Sequence, residues 1–158
     1  MTLEVLHERV AARADSVSGS CEDWPCRAGC DACCRSLADI PRMTRAEWLL
    51  LRERLAALPE IHSKIEALEN AQRPIQCPML DELSGHCLVY EARPIACRTY
   101  GFYRDRDQGL YCGMIRERVD RGELDHVVWG NQAAIEEAQK QLGMEQDLLT
   151  WFRYEMLP

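Results

Sequence analysis

Four cysteines fall within the nine residues Cys26-Arg-Ala-Gly-Cys30-Asp-Ala-Cys33-Cys34, a density of thiols that suits metal coordination better than core packing. Four more, Cys77, Cys87, Cys97 and Cys112, follow singly and at wide intervals, so eight thiols from distant parts of the chain could converge. Buried free cysteines can also pack as small hydrophobes, but Arg27 and Asp31 interrupt any apolar stripe here. The ninth cysteine, Cys21, precedes Trp24-Pro25 and reads as a spare thiol.

Disulfides are the competing use of nine cysteines, and an odd number leaves one unpaired. The first residues, Met1 to Arg9, have neither the basic start nor the apolar stretch of a secretory signal, so a reducing, cytoplasmic location is expected. No apolar run approaches the roughly 20 residues of a membrane span. With 26 acidic against 19 basic residues and a formal charge of −7, a general phosphate-backbone binder is disfavoured, and no nucleic-acid or membrane partner is expected. Eight added thiolates would be tolerable inside such a protein only with bound cations.

If residues 26–34 are helical, Cys26, Cys30, Cys33 and Cys34 lie at roughly 0°, 40°, −20° and 80° around the axis, all on one face. The adjacent pair Cys33-Cys34 still diverges by one residue step, which suits two metals, or a metal and a reactive position, better than one tetrahedral ion. The spacing Cys26-x3-Cys30-x2-Cys33 also resembles that of radical S-adenosylmethionine enzymes. The chain lacks the strand-helix alternation their partial barrel needs, and Ala32 stands where an aromatic residue is usual.

The elements that must position these thiols are mostly helical. Thr2 caps a first helix with apolar residues at Leu3, Leu6, Val10, Ala14 and Val17, ended by Ser18-Gly19-Ser20. Thr44-Arg-Ala-Glu47 has the form of a capping box opening a helix through Trp48, Leu51 and Leu55 that Pro59 stops, and Ile61, Ile65 and Leu68 continue as a further short helix. Between Arg73 and Gly113, Pro74, Pro78, Gly85, Pro94, Gly101 and Gly109 break the chain into turns, with Cys87-Leu-Val-Tyr90 as the best short strand. Residues 124–157 read as two helices, one through Ala133, Ile135 and Leu142, the other carrying Leu148, Leu149, Phe152 and Met156. The expectation is one mainly α domain over 1–158, with a motif core at 26–112 and an irregular, metal-stabilised segment holding at most a short β-hairpin.

That irregular segment carries a second constellation: Cys77-Pro-Met-Leu-Asp81, then Cys87-Leu-Val-Tyr90-Glu-Ala-Arg93-Pro94-Ile-Ala-Cys97-Arg98. Together with the first cluster it resembles the CxxCxxCC family, the zinc- or iron-chelating YkgJ-like cysteine-cluster proteins. In that family a clustered cysteine motif precedes a C-P-x-L … C-x-x-Y-x-x-R-P-x-x-C-R segment. The likeness spans Cys26 to Cys112, with a first spacing of three residues here where the family has two. It implies metal chelation at Cys30, Cys33, Cys34, Cys77, Cys87 and Cys97, extended to Cys26 and Cys112. Flagellin lysine methylases carry a similar cysteine domain, and the resemblance implies no established reaction.

Thiolates bound to a metal leave net negative charge, which the guanidinium groups of Arg93 and Arg98 could stabilise from behind the ligands; solvated surface ion pairs are the alternative for both. Pro94 suits the start of a short helix placing Cys97 on the face of Arg93. Tyr90 and Tyr100 read as core aromatics. His86 could replace a thiol or sit exposed in a turn, while His7, His62 and His126 have no ligand-like neighbours.

Zinc and a four-iron cluster both accept four thiolates and then keep a charge of about −2. Zinc is the first expectation, with an iron–sulfur cluster, which the Cys77-Pro78 step weakly favours, as the alternative. Two function classes follow: a metal-binding chelator or carrier without turnover, or an iron–sulfur protein in redox or methylation-like modification of a protein partner. The absence of a Gly-rich cofactor loop, a Ser-His-Asp order or a His-rich catalytic zinc motif weighs against the second, and the surplus of ligands over one tetrahedral ion weighs for it.

Overall fold

A computed structural model describes residues 1–156. Among them the helices are α1 (Leu3–Ser18), α2 (Ala32–Arg35), α3 (Arg45–Ala56), α4 (His62–Glu66), α5 (Ile95–Thr99), α6 (Gly113–Asp120), α7 (Gln132–Gln139) and α8 (Leu148–Glu155). Short strands are β1 (Arg42–Thr44), β2 (Tyr103–Asp105), β3 (Gln108–Leu110), β4 (Gly130–Asn131) and β5 (Glu145–Asp147). The fold is mainly α, as the periodicity predicts. The backbone contacts group into two compact units, Met1–Arg27 with Ile95–Leu142, and Ala28–Pro94 with Gly143–Pro158.

In the first unit α1 begins where expected, the Thr2 hydroxyl accepting from the Val5 N–H at 3.3 Å, and it buries Leu6, Val10 and Val17. Leu6 and Val10 pack with Ile95, Tyr103, Ile135 and Ala138; Val17 joins a second cluster with Trp24, Tyr111, Ile115, Leu124 and Val127. β2 pairs antiparallel with β3 and parallel with β4. Gly130 lies flat on the Tyr103 ring, where a Cβ would come within 2.4 Å of it. The Asn131 side chain accepts from the Ala134 N–H at 3.3 Å and starts α7.

In the second unit the capping box forms as read: Thr44 Oγ1 accepts from the Glu47 N–H at 3.4 Å, and Glu47 Oε2 accepts from the Thr44 N–H at 2.8 Å. Trp48, Leu51 and Leu55 are fully buried against Ile65, Leu148 and Phe152. β1 and β5 pair antiparallel, and Asp147 caps α8 by accepting from the Thr150 N–H at 2.8 Å. The expected last helix reaches Glu155; Leu157 lies outside the described residues.

Three expectations change. Residues 26–31 are not helical: Gly29 turns the chain at φ +88°, so only Cys33 and Cys34 of the first cluster lie in a helix, α2. Cys87-Leu-Val-Tyr90 is not a strand, since one antiparallel bridge joins Leu80 to Cys87 and residues 90–92 then wind into a 3-10 turn. The hairpin of the irregular segment is instead β2–β3. Helix α6, which carries no long apolar stripe, has no counterpart in the sequence reading.

Candidate metal centre

The second unit brings four of the expected ligands together. Cys33 and Cys34 leave α2, and a bridge between Leu37 and Ile75 lays the segment before Cys77 alongside that helix. The Cys77 N–H donates to the Cys34 carbonyl at 2.7 Å, so the two residues are fastened through their backbones. The thiols of Cys33, Cys34 and Cys77 are then hydrogen-bonded in series, and Cys87, held by the bridge to Leu80, lies close enough to act electrostatically on Cys34.

This crowding raises the thiol pKa values. Cys33 is pushed far up, by its hydrogen bond with Cys34 first and by desolvation second. At Cys34 the hydrogen bond with Cys33 lowers the pKa. The Cys77 thiol, desolvation and the charges of Cys77 and Cys87 outweigh it and push Cys34 up to about 12. Cys87 is also raised, chiefly by desolvation, although the Arg93 charge pulls it down. Thiols so placed resist ionising together unless a cation shares the space.

Cys30 belongs to the same unit, in the turn that Gly29 opens. The local fastening there is Asp31, whose Oδ2 accepts from Arg35 Nε at 2.6 Å. Gly85, at φ +74°, faces the same carboxylate, and a Cβ there would sit 3.2 Å from Asp31 Oδ2. Sequence reasoning missed the Asp31/Arg35 pairing, for which the four-residue spacing is the signal, and its packing against Gly85 has no local signal. His86 is exposed in this turn, as the simpler reading has it.

Arg93 is fixed close to the thiol group. Its guanidinium carbon lies 3.5 Å above the Tyr90 ring, and its Nε donates to the Tyr90 carbonyl at 2.9 Å.

Cys26, Cys97 and Cys112 belong to the first unit. The Cys26 thiol reaches the Tyr100 carbonyl at 3.6 Å and is seated against Gly101, at φ +94°, where a Cβ would come within 2.6 Å of its sulfur. Cys26 and Cys112 both border the Trp24 cluster, with Cys112 immediately before α6. Cys97 lies in α5, which begins after Pro94 as read, and Arg98 in the same helix acts electrostatically on His7. Cys21 is no idle thiol in this unit: Arg118 Nη2 approaches its sulfur at 2.7 Å.

All nine cysteines are free of disulfides. Among the described residues no three His, Cys, Asp or Glu side chains already stand as the ligands of one ion would. The thiols of Cys33, Cys34, Cys77 and Cys87 nevertheless offer the donor chemistry of zinc or iron, and a cavity of about 320 Å³ is lined by Cys77 and Pro78 together with Lys64 and Glu82.

A mainly helical chain with clustered free thiols suits the class of metal-binding proteins. Residues 25–123 match the model of the CxxCxxCC family, described as "Putative zinc- or iron-chelating domain", and the chain belongs to that family. A search of the curated proteins and of the solved structures finds no match. Metal binding thus follows from family and donor set together, and no helix among the described residues is long and apolar enough to cross a membrane.

Proposed function

We propose that this protein is a zinc chelator whose ion is held by Cys33, Cys34, Cys77 and Cys87, in one domain spanning 1–158. The observation that carries this reading is the series Cys33, Cys34, Cys77, with Cys87 beside it, in which Cys34 raises the pKa of Cys33, and Cys77 and Cys87 raise that of Cys34. A bound cation removes that conflict by ionising the sulfurs. When bound, zinc supplies a closed structural charge centre, or Lewis acidity if one position stays open.

Cys30 extends the ligand set within the second unit; within the first unit, taken by itself, Cys26, Cys97 and Cys112 are the metal ligands of this reading. Arg93, stacked on Tyr90, offsets the surplus negative charge of the thiolates beside Cys87. Arg98 plays the same part next to Cys97. A reducing, cytoplasmic setting suits nine free thiols. An iron–sulfur cluster is the second reading, favoured by Cys77-Pro78; it would make the protein a redox or protein-modifying partner.

Elemental analysis of protein prepared under reducing conditions, with an optical spectrum, tests the proposal. Colourless protein with bound zinc and thiols masked until a chelator is added supports it. Brown, iron-loaded protein selects the second reading, and metal-free protein with several disulfides overturns both.

A further inference from the structure

The first unit carries a second feature that the thiol chemistry does not use. A cleft of about 410 Å³ opens between α1, Trp129 and the β4–α7 junction. That volume lies within the range of small-ligand sites. Arg9 and Arg13, one turn apart on α1, both line it, with Ser16 beside them and Asn131 opposite.

Neither arginine forms an ion pair among the described residues; Arg13 makes one weak hydrogen bond, to the Val128 carbonyl at 3.4 Å. In a chain of net charge −7, two like charges at i,i+4 without an acidic partner repel each other for no structural return. The cleft also contains Tyr103, a residue only 2 % exposed whose hydroxyl has no hydrogen-bond partner among the described residues. Both guanidinium charges act on that hydroxyl, so the three groups face one region. The Trp129 ring, braced by Tyr111 at 5.1 Å and Trp24 at 5.6 Å, forms an aromatic wall.

We propose that this cleft binds a small organic oxyanion, with Arg9 and Arg13 holding the charged head, the Tyr103 hydroxyl donating to it, and Trp129 covering a planar apolar body. Guanidinium pairs suit phosphate and carboxylate alike, since both present two oxygens to the planar fork. The site stands apart from the metal proposal in its residues, so it can fail or hold independently.

Calorimetric titration of the protein of residues 1–158, as purified under reducing conditions, with phenyl phosphate, benzoate and inorganic phosphate tests it. The expected result is saturable binding of phenyl phosphate or benzoate, tighter than inorganic phosphate and weakened by salt; the tighter of the two identifies the head group. The double variant Arg9→Gln/Arg13→Gln should bind at least about 10-fold more weakly, and Tyr103→Phe, which removes one oxygen, several-fold more weakly. Arg121→Gln, in an exposed ion-pair group elsewhere, should bind as the parent does. No binding by the parent, or unchanged binding by Tyr103→Phe and by a folded double variant, overturns the proposal. Should the double variant fail to fold, the Tyr103→Phe titration decides alone.

Discussion

Replacing Cys34 by Ser separates ligation from packing, because only ligation makes the loss depend on metal. Cys34 is half-buried, its thiol lies between those of Cys33 and Cys77, and its carbonyl receives the Cys77 N–H at 2.7 Å, a bond the substitution leaves intact. In metal-free protein, Ser keeps the volume and the hydrogen-bonding group, so the loss should stay within about 1 kcal/mol. In metal-loaded protein, a structural zinc contributes about 10–16 kcal/mol to folding, and one ligand of four accounts for roughly 3–4 kcal/mol of that. For a chain of this size that is a fall of about 6–16 °C in melting temperature, at about 2–4 °C per kcal/mol. Differential scanning calorimetry on parent and variant, each with metal and with chelator, gives the four numbers needed. A variant that melts lower by the same amount in both conditions would show that Cys34 packs and does not ligate, and would refute the reasoning.

Thr44→Ala removes both the hydroxyl that caps α3 and a 2.6 Å bond to the buried Glu47 carboxylate. It should cost about 1–2 kcal/mol in urea unfolding, and a loss below about 0.3 kcal/mol would contradict the capping account. Gly101→Ala places a methyl 2.6 Å from the Cys26 sulfur at φ +94° and should lower the melting temperature by several degrees while exposing Cys26 to thiol reagents; unchanged Cys26 reactivity would count against that seat. Burial, aided by the Arg98 charge, lowers the His7 pKa from 6.5 to about 4, so the native state favours the neutral ring. Stability should therefore be intact above about pH 6.5 and decline towards pH 4 by roughly 1–2 kcal/mol, allowing for solvent screening. Chelator-treated His7→Gln should lose less than the parent between pH 7 and 4.5, and identical losses would rule His7 out.

Helix starts were legible in the sequence because their signals are local: Thr2, the Thr44/Glu47 box and the apolar spacing of α1 and α3 need no distant partner. The thiols themselves were equally plain, and so was Pro94 ahead of α5. The shape of the cluster was not. A helical wheel assumes continuity, and one left-handed residue, Gly29, removes Cys26 and Cys30 from the helix. The Cys87–Tyr90 run has strand composition, but the Arg93 guanidinium sits over Tyr90 after a single bridged pair. The Arg9/Arg13 cleft depends on Tyr103 and Trp129, ninety or more residues away in sequence, so periodicity in α1 marks those arginines only as an outer face.

The central claim is that thiolate sulfurs of this chain hold a metal. X-ray absorption at the zinc and iron edges of the purified, reduced protein tests it most directly, since the first-shell scattering distinguishes sulfur from nitrogen and oxygen. The expected result is a zinc edge with four sulfurs at about 2.3 Å. A first shell of nitrogen or oxygen at about 2.0–2.1 Å, or protein without stoichiometric metal at either edge, would contradict it.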